Sequence, residues 1–388
     1  MKKIYSGKVE KSVKTLTKEH YSESIALSMY AFQYKVSEHD MDERKKLLDD
    51  HHILGIWEND KLASKLHMLN FTVFINGEEW SMGGIAGVAT YPEYRRLGHV
   101  KALISQSLIE MKEKGQLFSF LHPFDIGFYR KFGWEIFSEN KKLTIVNKDL
   151  SMIGSISGKI NRIKPQENDA LEKIYAKYIQ RYSGGLVRDK SWWERSIYED
   201  EEQYAIFEDE EGNPQGYIAY EIKNRLMKVS EYIALTQEAR VQLWNFICQH
   251  DSMLNTVELT TANNDPFPYF LKQPKQKVEV YPYFMGRIVD VQRCLQSYKF
   301  LNRTNDIVLK IKDEFAQWNN GEFYLNGESV QQTENCIELS INALSAILIG
   351  YKRPLELYEL GEINGFEKDI EAFDQDVPYQ KTAFYDFF

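Results

Sequence analysis

The sequence "VATYPEYRRLGHVKA", residues 88–102, joins an apolar segment to a helical pattern through a short basic loop. The apolar run that ends at Val88, Ala89 and Thr90 predicts a buried strand, which the following proline closes. After the loop, apolar residues recur three and four positions apart and predict one buried helix face: Val100, Leu103, Ile104, Leu108 and Met111. Arg95 and Arg96 lie between a predicted buried strand and a predicted helix, a position that calls for a chemical explanation.

The loop has the properties of an anion-binding site. The first backbone N–H groups of a helix have no partner within the helix and lie at the positive end of its dipole. Gly98 would let a phosphate come close to the main chain, and Arg95 and Arg96 add positive charge. The glycine spacings of dinucleotide-binding and P-loop motifs are absent. A solvated charged loop is the alternative interpretation of the same residues.

The segments around the loop predict a unit rich in β-structure. Residues 53–90 have the pattern of successive strands with two turns, and the Asn76-Gly77 pair at the second turn is typical of a hairpin. A short buried strand is expected over residues 117–121, and the sequence "FYRKFGW", residues 128–134, follows after a loop. These elements and the loop together form one candidate domain.

A second cycle of elements begins near residue 165. It predicts a hairpin over residues 203–222, a strand over 230–236, a helix over 237–250 and a strand over 256–261. This order of three strands, a helix and a strand matches that of residues 53–121. We therefore infer a diverged internal repeat from the order of the elements.

From residue 285 the pattern changes to short strands and one apolar helix over residues 342–350, which indicates an α+β unit. A chain of 388 residues is too long for one compact core. We predict a mixed α/β protein of three domains, comprising residues 1–155, 156–284 and 285–388.

Composition excludes several classes of protein. A formal net charge of -9 and an isoelectric point near 5.6 argue against nucleic-acid binding. The three cysteines are widely spaced and odd in number, which favours free thiols in a reducing compartment. The sequence shows neither a signal peptide nor a membrane span, so we expect a cytoplasmic protein without a membrane partner. The eight histidines show no metal-ligand spacing, so no metal is expected.

Arg95 and Gly98, the first and fourth residues of the loop, resemble the pyrophosphate loop of the GNAT acetyltransferases, and "FYRKFGW" resembles a second segment of that family. Over essentially the whole chain, the order of the three units is similar to that of the Eis (enhanced intracellular survival) family of N-acetyltransferases. The resemblance implies tandem GNAT folds, of which the N-terminal one is active and the central one degenerate, and a C-terminal sterol carrier protein-like α+β domain. It also implies acetyl-CoA as cosubstrate and assembly as a homohexamer. Val100 departs from the pattern, since this position is usually glycine or alanine.

The resemblance also assigns contacts to the cosubstrate. The strand edge at Val88, Ala89 and Thr90 would pair with the pantetheine amides. The remaining contacts would surround the pyrophosphate or follow the next strand: Arg95, Arg96, Leu97, Gly98, His99, Val100, Lys101, Phe124 and Asp125. We expect His99 to contribute its main chain. In the second unit the loop position is "LTQEARVQL", with no glycine and a lone Arg240, so no cosubstrate is expected there.

Two catalytic groups follow from the same resemblance. Acetyl transfer to an amine needs a base that removes a proton from the ammonium group and an acid that protonates the departing CoA thiolate. The resemblance makes Tyr129 the acid and the α-carboxylate of Phe388 the base. Tyr129 is one of 24 tyrosines, and without the resemblance a core aromatic would be the preferred interpretation.

The last residues, "AFYDFF", are too apolar for a solvated tail. We therefore expect Phe384, Phe387 and Phe388 to be buried and the chain end to be docked. Residues 354–388 hold nine acidic residues against two lysines, and Asp386 is the acidic residue nearest the proposed base. A solvated surface explains most of these acids, but they also suit a cationic amine acceptor such as an aminoglycoside. The alternatives are a protein lysine acetyltransferase and a non-catalytic protein that binds acetyl-CoA or an apolar ligand.

Overall fold

The computed structural model describes residues 12–154, 157–164, 169–198, 202–302, 307–331, 333 and 335–388. The predicted domain boundary between residues 155 and 156 lies outside them. Within these ranges, no helix is long and apolar enough to cross a membrane. The same ranges contain no group of three or more His, Cys, Asp or Glu side chains that could hold a metal ion.

The first unit is built on two long hairpins. Its strands are β1 (Lys14–Thr15), β2 (His52–Glu58), β3 (Lys61–Ile75), β4 (Glu78–Thr90), β5 (Phe118–Leu121) and β6 (Glu135–Val146). Its helices are α1 (Tyr21–Phe32), α2 (Met41–Leu47), α3 (His99–Glu113) and α4 (Ile126–Arg130). Asn76 and Gly77 take φ values of 52° and 73°, the left-handed geometry that a two-residue hairpin turn requires. The predicted hairpin is confirmed.

The second unit repeats this order of elements. Its strands are β7 (Lys159–Ile163), β8 (Gln203–Glu208), β9 (Pro214–Lys223), β10 (Leu226–Ala234), β11 (Thr256–Ala262) and β12 (Lys277–Ile288). Its helices are α5 (Ala170–Ile179), α6 (Lys190–Trp192), α7 (Gln237–Cys248) and α8 (Phe267–Phe270). The series β8, β9, β10, α7, β11 corresponds to β2, β3, β4, α3, β5. The internal repeat inferred from the sequence is confirmed.

The third unit has a smaller sheet of its own. Its strands are β13 (Val308–Lys312), β14 (Gly321–Tyr324), β15 (Ser329–Val330), β16 (Ile337–Ser340) and β17 (Ile363–Asn364). Its helices are α9 (Val291–Ser297), α10 (Ile341–Ile349), α11 (Pro354–Glu359) and α12 (Glu367–Asp376). The predicted apolar helix is α10, which is buried almost throughout.

The first two units share one sheet of twelve strands, in the order β1-β2-β3-β4-β5-β12-β6-β11-β10-β9-β8-β7. β12 follows the second unit in the chain but inserts between β5 and β6 of the first. The boundary predicted at residue 284 therefore falls inside a strand that ties the two units together. The exact domain limits remain a prediction.

An opening forms beside β4. Parallel pairing joins β4 to β5 only over residues 82–85, although β4 continues to Thr90. Among the described residues, no strand pairs with this edge beyond Ile85. On the other side of β4, the pairing with β3 shifts by one residue near Gly87, whose φ of 55° marks a β-bulge. The bulge and the early end of β5 leave backbone groups of β4 available to a ligand.

Helix α3 packs on the sheet through the face that its sequence predicts. Leu103, Ile104, Leu108 and Met111 are fully buried against it. Each such side chain contributes roughly 1.5–3 kcal/mol when it leaves water. A Cβ at Gly83 in β4 would lie 2.6 Å from the side chain of Met111, so a larger residue there would have to displace this methionine. The position of the basic loop is thus fixed by a rigid helix.

Candidate active site

The basic loop leaves the start of α3 open. Gly98 is the N-cap of the helix with a φ of 83°, no side chain caps this end, and the first turn holds no acidic residue. A Cβ built on Gly98 meets no atom of the described residues within 4 Å, so the described part of the chain leaves space in front of the loop. Arg95, Arg96 and Leu97 are exposed beside it. A helix start without a side-chain cap, two guanidinium groups and free space fit the pyrophosphate of acetyl-CoA.

His99 has a structural side chain. The ring is buried, with its Nδ1 atom 2.9 Å from the Ser64 hydroxyl and its Nε2 atom 3.1 Å from a Glu58 carboxylate oxygen. These contacts tie the first residue of α3 to β2 and β3 and leave only its main chain for an anion. Val100 is partly buried with the apolar residues beneath the helix, whereas Lys101 is exposed at the helix start.

The predicted strand edge is at the opening beside β4. Ala89 is buried, while Val88 and Thr90 are partly buried. The Thr90 hydroxyl accepts a hydrogen bond of 2.9 Å from Ser64, so its side chain is held within the unit. The backbone edge of these three residues faces the gap left by β5, where an extended amide chain can pair with it.

Tyr129 lies on the short helix α4. The Asp125 carboxylate caps this helix by accepting a hydrogen bond of 2.5 Å from the Phe128 N–H. Tyr129 is 3% exposed and packs among the rings of Phe124, Phe128 and Trp134. Burial raises the pKa of its hydroxyl well above the ordinary value. Within the described part of the chain its hydroxyl has no hydrogen-bond partner, so the group is a neutral donor available to a ligand.

Phe124 and Asp125 take different places around this helix. The Phe124 ring is 73% exposed and stands 5.5 Å from that of Tyr129, at the surface of the site. Asp125 uses one carboxylate oxygen for the helix cap. Its assignment as a cosubstrate contact remains a prediction, and the structure gives it a local role.

The chain end is docked against β4. The Phe388 ring lies 4.8 Å from Phe71 and 5.0 Å from Phe284. A Cβ at Gly84 would approach the Phe388 ring to 2.9 Å, so glycine makes room for it. Among the described residues, the terminal carboxylate has no ion-pair partner. The docking expected from the apolar ending is confirmed.

The expectation that Phe387 is buried is wrong. Phe384 is buried and Phe388 partly so, but Phe387 is 63% exposed, with its ring 5.1 Å from that of His122. Side chains of an extended segment alternate in direction, and here Asp386 and Phe388 point inward. Asp386, the acid nearest the proposed base, is 1% exposed and hydrogen-bonded within the protein, so it does not face a ligand.

Tyr129 and Phe388 approach the opening from opposite faces of the sheet. Gly84 and Ile85 are neighbours in β4, so their side-chain positions lie on opposite faces. Phe388 covers Gly84, whereas Ile85 belongs to the apolar cluster beneath α3 that includes Tyr129. Both neighbours lie at the end of the β4–β5 pairing. A thioester placed in the opening would have an acid on one side and a carboxylate on the other.

A buried basic cluster lies on the same face as Phe388 and was not predicted. Lys65 is fully buried, and its Nζ atom lies 2.6 Å from both the Ser28 hydroxyl and His67 Nε2. His67 in turn lies 2.9 Å from His51. Burial lowers the pKa of Lys65 to about 7 and that of His51 to about 4. The sequence signal that could have predicted this cluster is the presence of Lys65 and His67 at alternating positions of an otherwise apolar strand.

Comparison with known proteins agrees with this architecture. Acetyltransferase (GNAT) domain models match residues 12–137 and 184–288, and a sterol carrier protein domain model matches residues 291–385. The N-acetyltransferase Eis of Mycobacterium tuberculosis (strain H37Ra) is 24% identical over 78% of this chain and 80% of its own.

Solved structures show the same fold over nearly the whole chain. A probable N-acyltransferase from Enterococcus faecalis V583 superposes with a TM-score of 0.91 at 25% identity, covering 97% of this chain and 100% of its own. Eis1 from Mycobacterium abscessus has a TM-score of 0.81 at 18% identity, with coverage of 97% and 100%. The chain is a GNAT N-acetyltransferase with two GNAT domains, and it is similar in sequence to the Eis N-acetyltransferases; GNAT acetyltransferases use acetyl-CoA.

Proposed function

We propose that the enzyme transfers the acetyl group of acetyl-CoA directly to an amino group of a cationic small molecule. Tyr129 is the general acid and the Phe388 α-carboxylate is the general base. The observation that carries the proposal is the placement of these two residues on opposite faces of the sheet, where β4 and β5 part. Direct transfer requires an acid near the sulfur and a base near the acceptor.

Acetyl-CoA binding is assigned to the open start of α3 and the free edge of β4. The guanidinium groups of Arg95 and Arg96 and the first N–H groups of the helix neutralise the pyrophosphate charge. The backbone of Val88, Ala89 and Thr90 pairs with the pantetheine amides. Bound acetyl-CoA supplies the activated acetyl group.

The transfer balances in three proton movements. The Phe388 carboxylate takes a proton from the ammonium group of the acceptor, and the freed nitrogen lone pair forms a bond to the thioester carbonyl carbon, whose π electrons move to the oxygen. When the carbonyl forms again, the carbon–sulfur bond breaks and Tyr129 gives its proton to the CoA thiolate. The nitrogen then loses its second proton, which restores the Tyr129 hydroxyl, and the proton on the Phe388 carboxylate passes to solvent. Because burial raises the Tyr129 pKa, the tyrosine proton is present at neutral pH until the thiolate forms.

The charge distribution supports a cationic acceptor. Residues 354–388, which end in the site, carry nine of the chain's acidic residues and two lysines. Lys65 lies on the same face of the sheet as Phe388, where we place the amine acceptor. Burial lowers its pKa to about 7, so above that pH it adds no fixed positive charge. Asp376 and Asp386 are buried, and the net negative charge of the remaining acids of this segment favours association with polyamines and aminoglycosides.

The test is CoA release with a panel of amines, followed by mass spectrometry that counts the acetyl groups added. The panel contains a multi-amine aminoglycoside, a polyamine and a lysine-containing peptide. Faster turnover of the first two supports the proposal. Preference for the peptide would instead show a protein lysine acetyltransferase, and tight acetyl-CoA binding without turnover of any amine would show a binding protein.

We also propose that the protein assembles as a homohexamer. The first half of β12 exposes Val278, Val280 and Tyr281, although the strand lies in the middle of the sheet. Apolar and aromatic residues of this kind are enriched in the centres of interfaces. Light scattering at micromolar concentration tests the assembly, and a monomer mass of 45.6 kDa would contradict it.

A further inference from the structure

The second unit buries an arginine whose contacts do not serve that unit alone. Arg188 has a fully buried side chain between two carboxylates, with Nε 2.8 Å from Asp386 and Nη2 hydrogen-bonded to Glu231 of β10. Its guanidinium carbon lies 3.7 Å from the centre of the Tyr175 ring on α5. One of its two carboxylates thus comes from the second unit and the other from the chain end.

Asp386 is held from several directions. Its Oδ1 atom also accepts a hydrogen bond of 2.8 Å from Trp192, and its Oδ2 atom accepts one of 3.2 Å from Tyr175. The Tyr283 hydroxyl donates to its backbone carbonyl at 2.9 Å. All these donors lie in residues 175–283, between the first unit and the third. Asp386 is therefore fixed by the second unit although it belongs to the last residues of the chain.

The backbone around Arg188 joins the same parts of the molecule. Val187 donates to the Thr72 carbonyl of β3 at 2.8 Å, which ties the segment to the first unit. Ser183 donates to the Lys381 carbonyl at 2.8 Å, and Ala383 donates back to Ser183 at 3.2 Å. Residues 183–188 therefore lie between the active unit and the chain end and hydrogen-bond to both.

This anchor lies next to the proposed base. Phe388 is two residues beyond Asp386, a span of at most about 7 Å along an extended chain. Phe71 links the two places, because its ring packs 5.1 Å from Trp192 and 4.8 Å from Phe388. A shift of the Asp386 carboxylate would move the chain end relative to the opening between β4 and β5.

We propose that the second, degenerate GNAT unit positions the base of the first one, with Arg188 as the positioning residue that acts through Asp386 on the Phe388 carboxylate. The inference rests on the proposed function, since it assumes that this carboxylate takes the proton. It gives the second unit a role in the reaction that needs no cosubstrate of its own.

Asp386→Asn is the main test, because the amide keeps the shape of the side chain but loses the negative charge that pairs with Arg188. We expect kcat at pH 7 to fall about 10- to 100-fold, up to the lower end of the roughly 10²- to 10⁴-fold contribution of a general base, with the acetyl-CoA Kd unchanged by calorimetry. The loss should shrink at pH 9, where more of the acceptor amine is already neutral. A general folding defect would lower the rate at both pH values.

Asp265→Asn is the matched control, since Asp265 is also a buried carboxylate paired with an arginine of the second unit. We expect it to keep kcat within about twofold. Arg188→Lys keeps the positive charge but cannot reach both carboxylates, so its kcat should lie between those of wild type and Asp386→Asn. Equal losses for Asp265→Asn and Asp386→Asn, or full activity of Arg188→Lys, would overturn the inference.

Deletion of Phe388 separates the inference from the proposed function. If the deletion lowers kcat to a measurable residual rate, combining it with Asp386→Asn should cause no further loss, because both changes act on one carboxylate. An additive loss would contradict the inference, as would an unaltered kcat for Asp386→Asn beside an inactive deletion variant. If the deletion variant itself keeps full activity, the proposed base is wrong and the positioning role falls with it.

Discussion

In both GNAT units a helix begins at the same point of the fold, but the N-termini of the two helices are capped differently. In the first unit α3 begins at Gly98 without a side-chain cap, beside two exposed arginines. In the second unit the Thr236 hydroxyl accepts a hydrogen bond of 3.1 Å from Ala239, and Glu238 lies in the first turn. The hydroxyl takes up one of the free backbone N–H groups at this helix start, and the carboxylate is attracted to the positive end of the helix dipole. An anion would otherwise make these interactions. Of the two helix starts, the one left without a side-chain cap is therefore the one where we propose that an anion binds.

The two units also differ in the tyrosine that follows the next strand, Tyr129 after β5 and Tyr269 after β11. α4 follows β5 and buries Tyr129 to 3% exposure, whereas α8 follows β11 and leaves Tyr269 91% exposed. Burial raises the pKa of the Tyr129 hydroxyl, so it keeps its proton at neutral pH. A solvated phenol at Tyr269 faces water instead. The two tyrosines therefore differ in burial, and only Tyr129 is proposed as an acid.

The largest effect is expected at the chain end. Deletion of Phe388 moves the terminal carboxylate by about 3.5 Å, which is too far for proton transfer within hydrogen-bond reach. A C-terminal tag removes the charge and forces a peptide past the packed ring. We predict a severe loss of kcat for both changes, with normal acetyl-CoA binding by calorimetry.

Phe388→Ala completes this series, because it keeps the carboxylate and loses only the ring contacts with Phe71 and Phe284. A partial loss of kcat is expected, and an N-terminally tagged enzyme should be fully active. Intact-mass spectrometry verifies each chain end. If the C-terminally tagged enzyme acetylates amines as fast as the N-terminally tagged one, the carboxylate is not the base.

Tyr129→Phe should lower kcat by roughly 10²-fold, the usual scale of a general acid, while the Kd for acetyl-CoA stays near normal. The change keeps the ring contacts and removes only the proton donor. Tyr269→Phe is the matched variant in the second unit and should leave kcat unaltered. Equal rates for Tyr129→Phe and wild type would show that another group protonates the thiolate.

Gly98→Asp should raise the KM for acetyl-CoA strongly, by about tenfold or more, because it puts a carboxylate where the phosphates bind. The position has a φ of 83°, so the aspartate also strains the backbone there. Thermal unfolding checks that the fold survives, and calorimetry measures the affinity. Unchanged affinity would contradict the placement of the cosubstrate at this loop.

The sequence predicts local elements well and distant pairings poorly. The hairpins, the buried face of α3 and the repeat follow from turn residues and apolar spacing, which act over a few positions. The insertion of β12 between β5 and β6 depends on partners more than 130 residues apart, and no local pattern encodes it. Buried Lys65 and Arg188 were missed because charged residues normally prefer the surface.

The two units also differ in how they bury a basic side chain, and this difference predicts that stability depends on pH. Arg188 lies between two carboxylates, whereas Lys65 has no ion-pair partner among the described residues. Burial lowers the Lys65 pKa from 10.5 to about 7, so between these values the unfolded chain binds a proton that the folded one lacks. The contribution of Lys65 to the free energy of unfolding therefore rises with pH between about 7 and 10.5, by at most about 1.4 kcal/mol per pH unit.

Lys65→Met removes this titration. The variant should gain most in melting temperature over wild type at pH 7, and the gain should shrink as the pH rises towards 10. Melting curves across this range measure it. A difference in melting temperature that is constant with pH would show that Lys65 is not buried as a depressed-pKa lysine.

The smallest effect on the cosubstrate is expected for Arg240→Ala in the second unit. Arg240 stands near the start of α7, but its guanidinium pairs with the buried Asp265 carboxylate at 3.1 Å and is not available to a phosphate. Its loss should cost roughly 1–3 kcal/mol of stability, because the aspartate loses its cation. Acetyl-CoA affinity should stay within about twofold of wild type, with a stoichiometry of one acetyl-CoA per chain. A weakening like that of Gly98→Asp, or a stoichiometry of two, would place a cosubstrate in the second unit and remove the contrast between an open and a closed helix start.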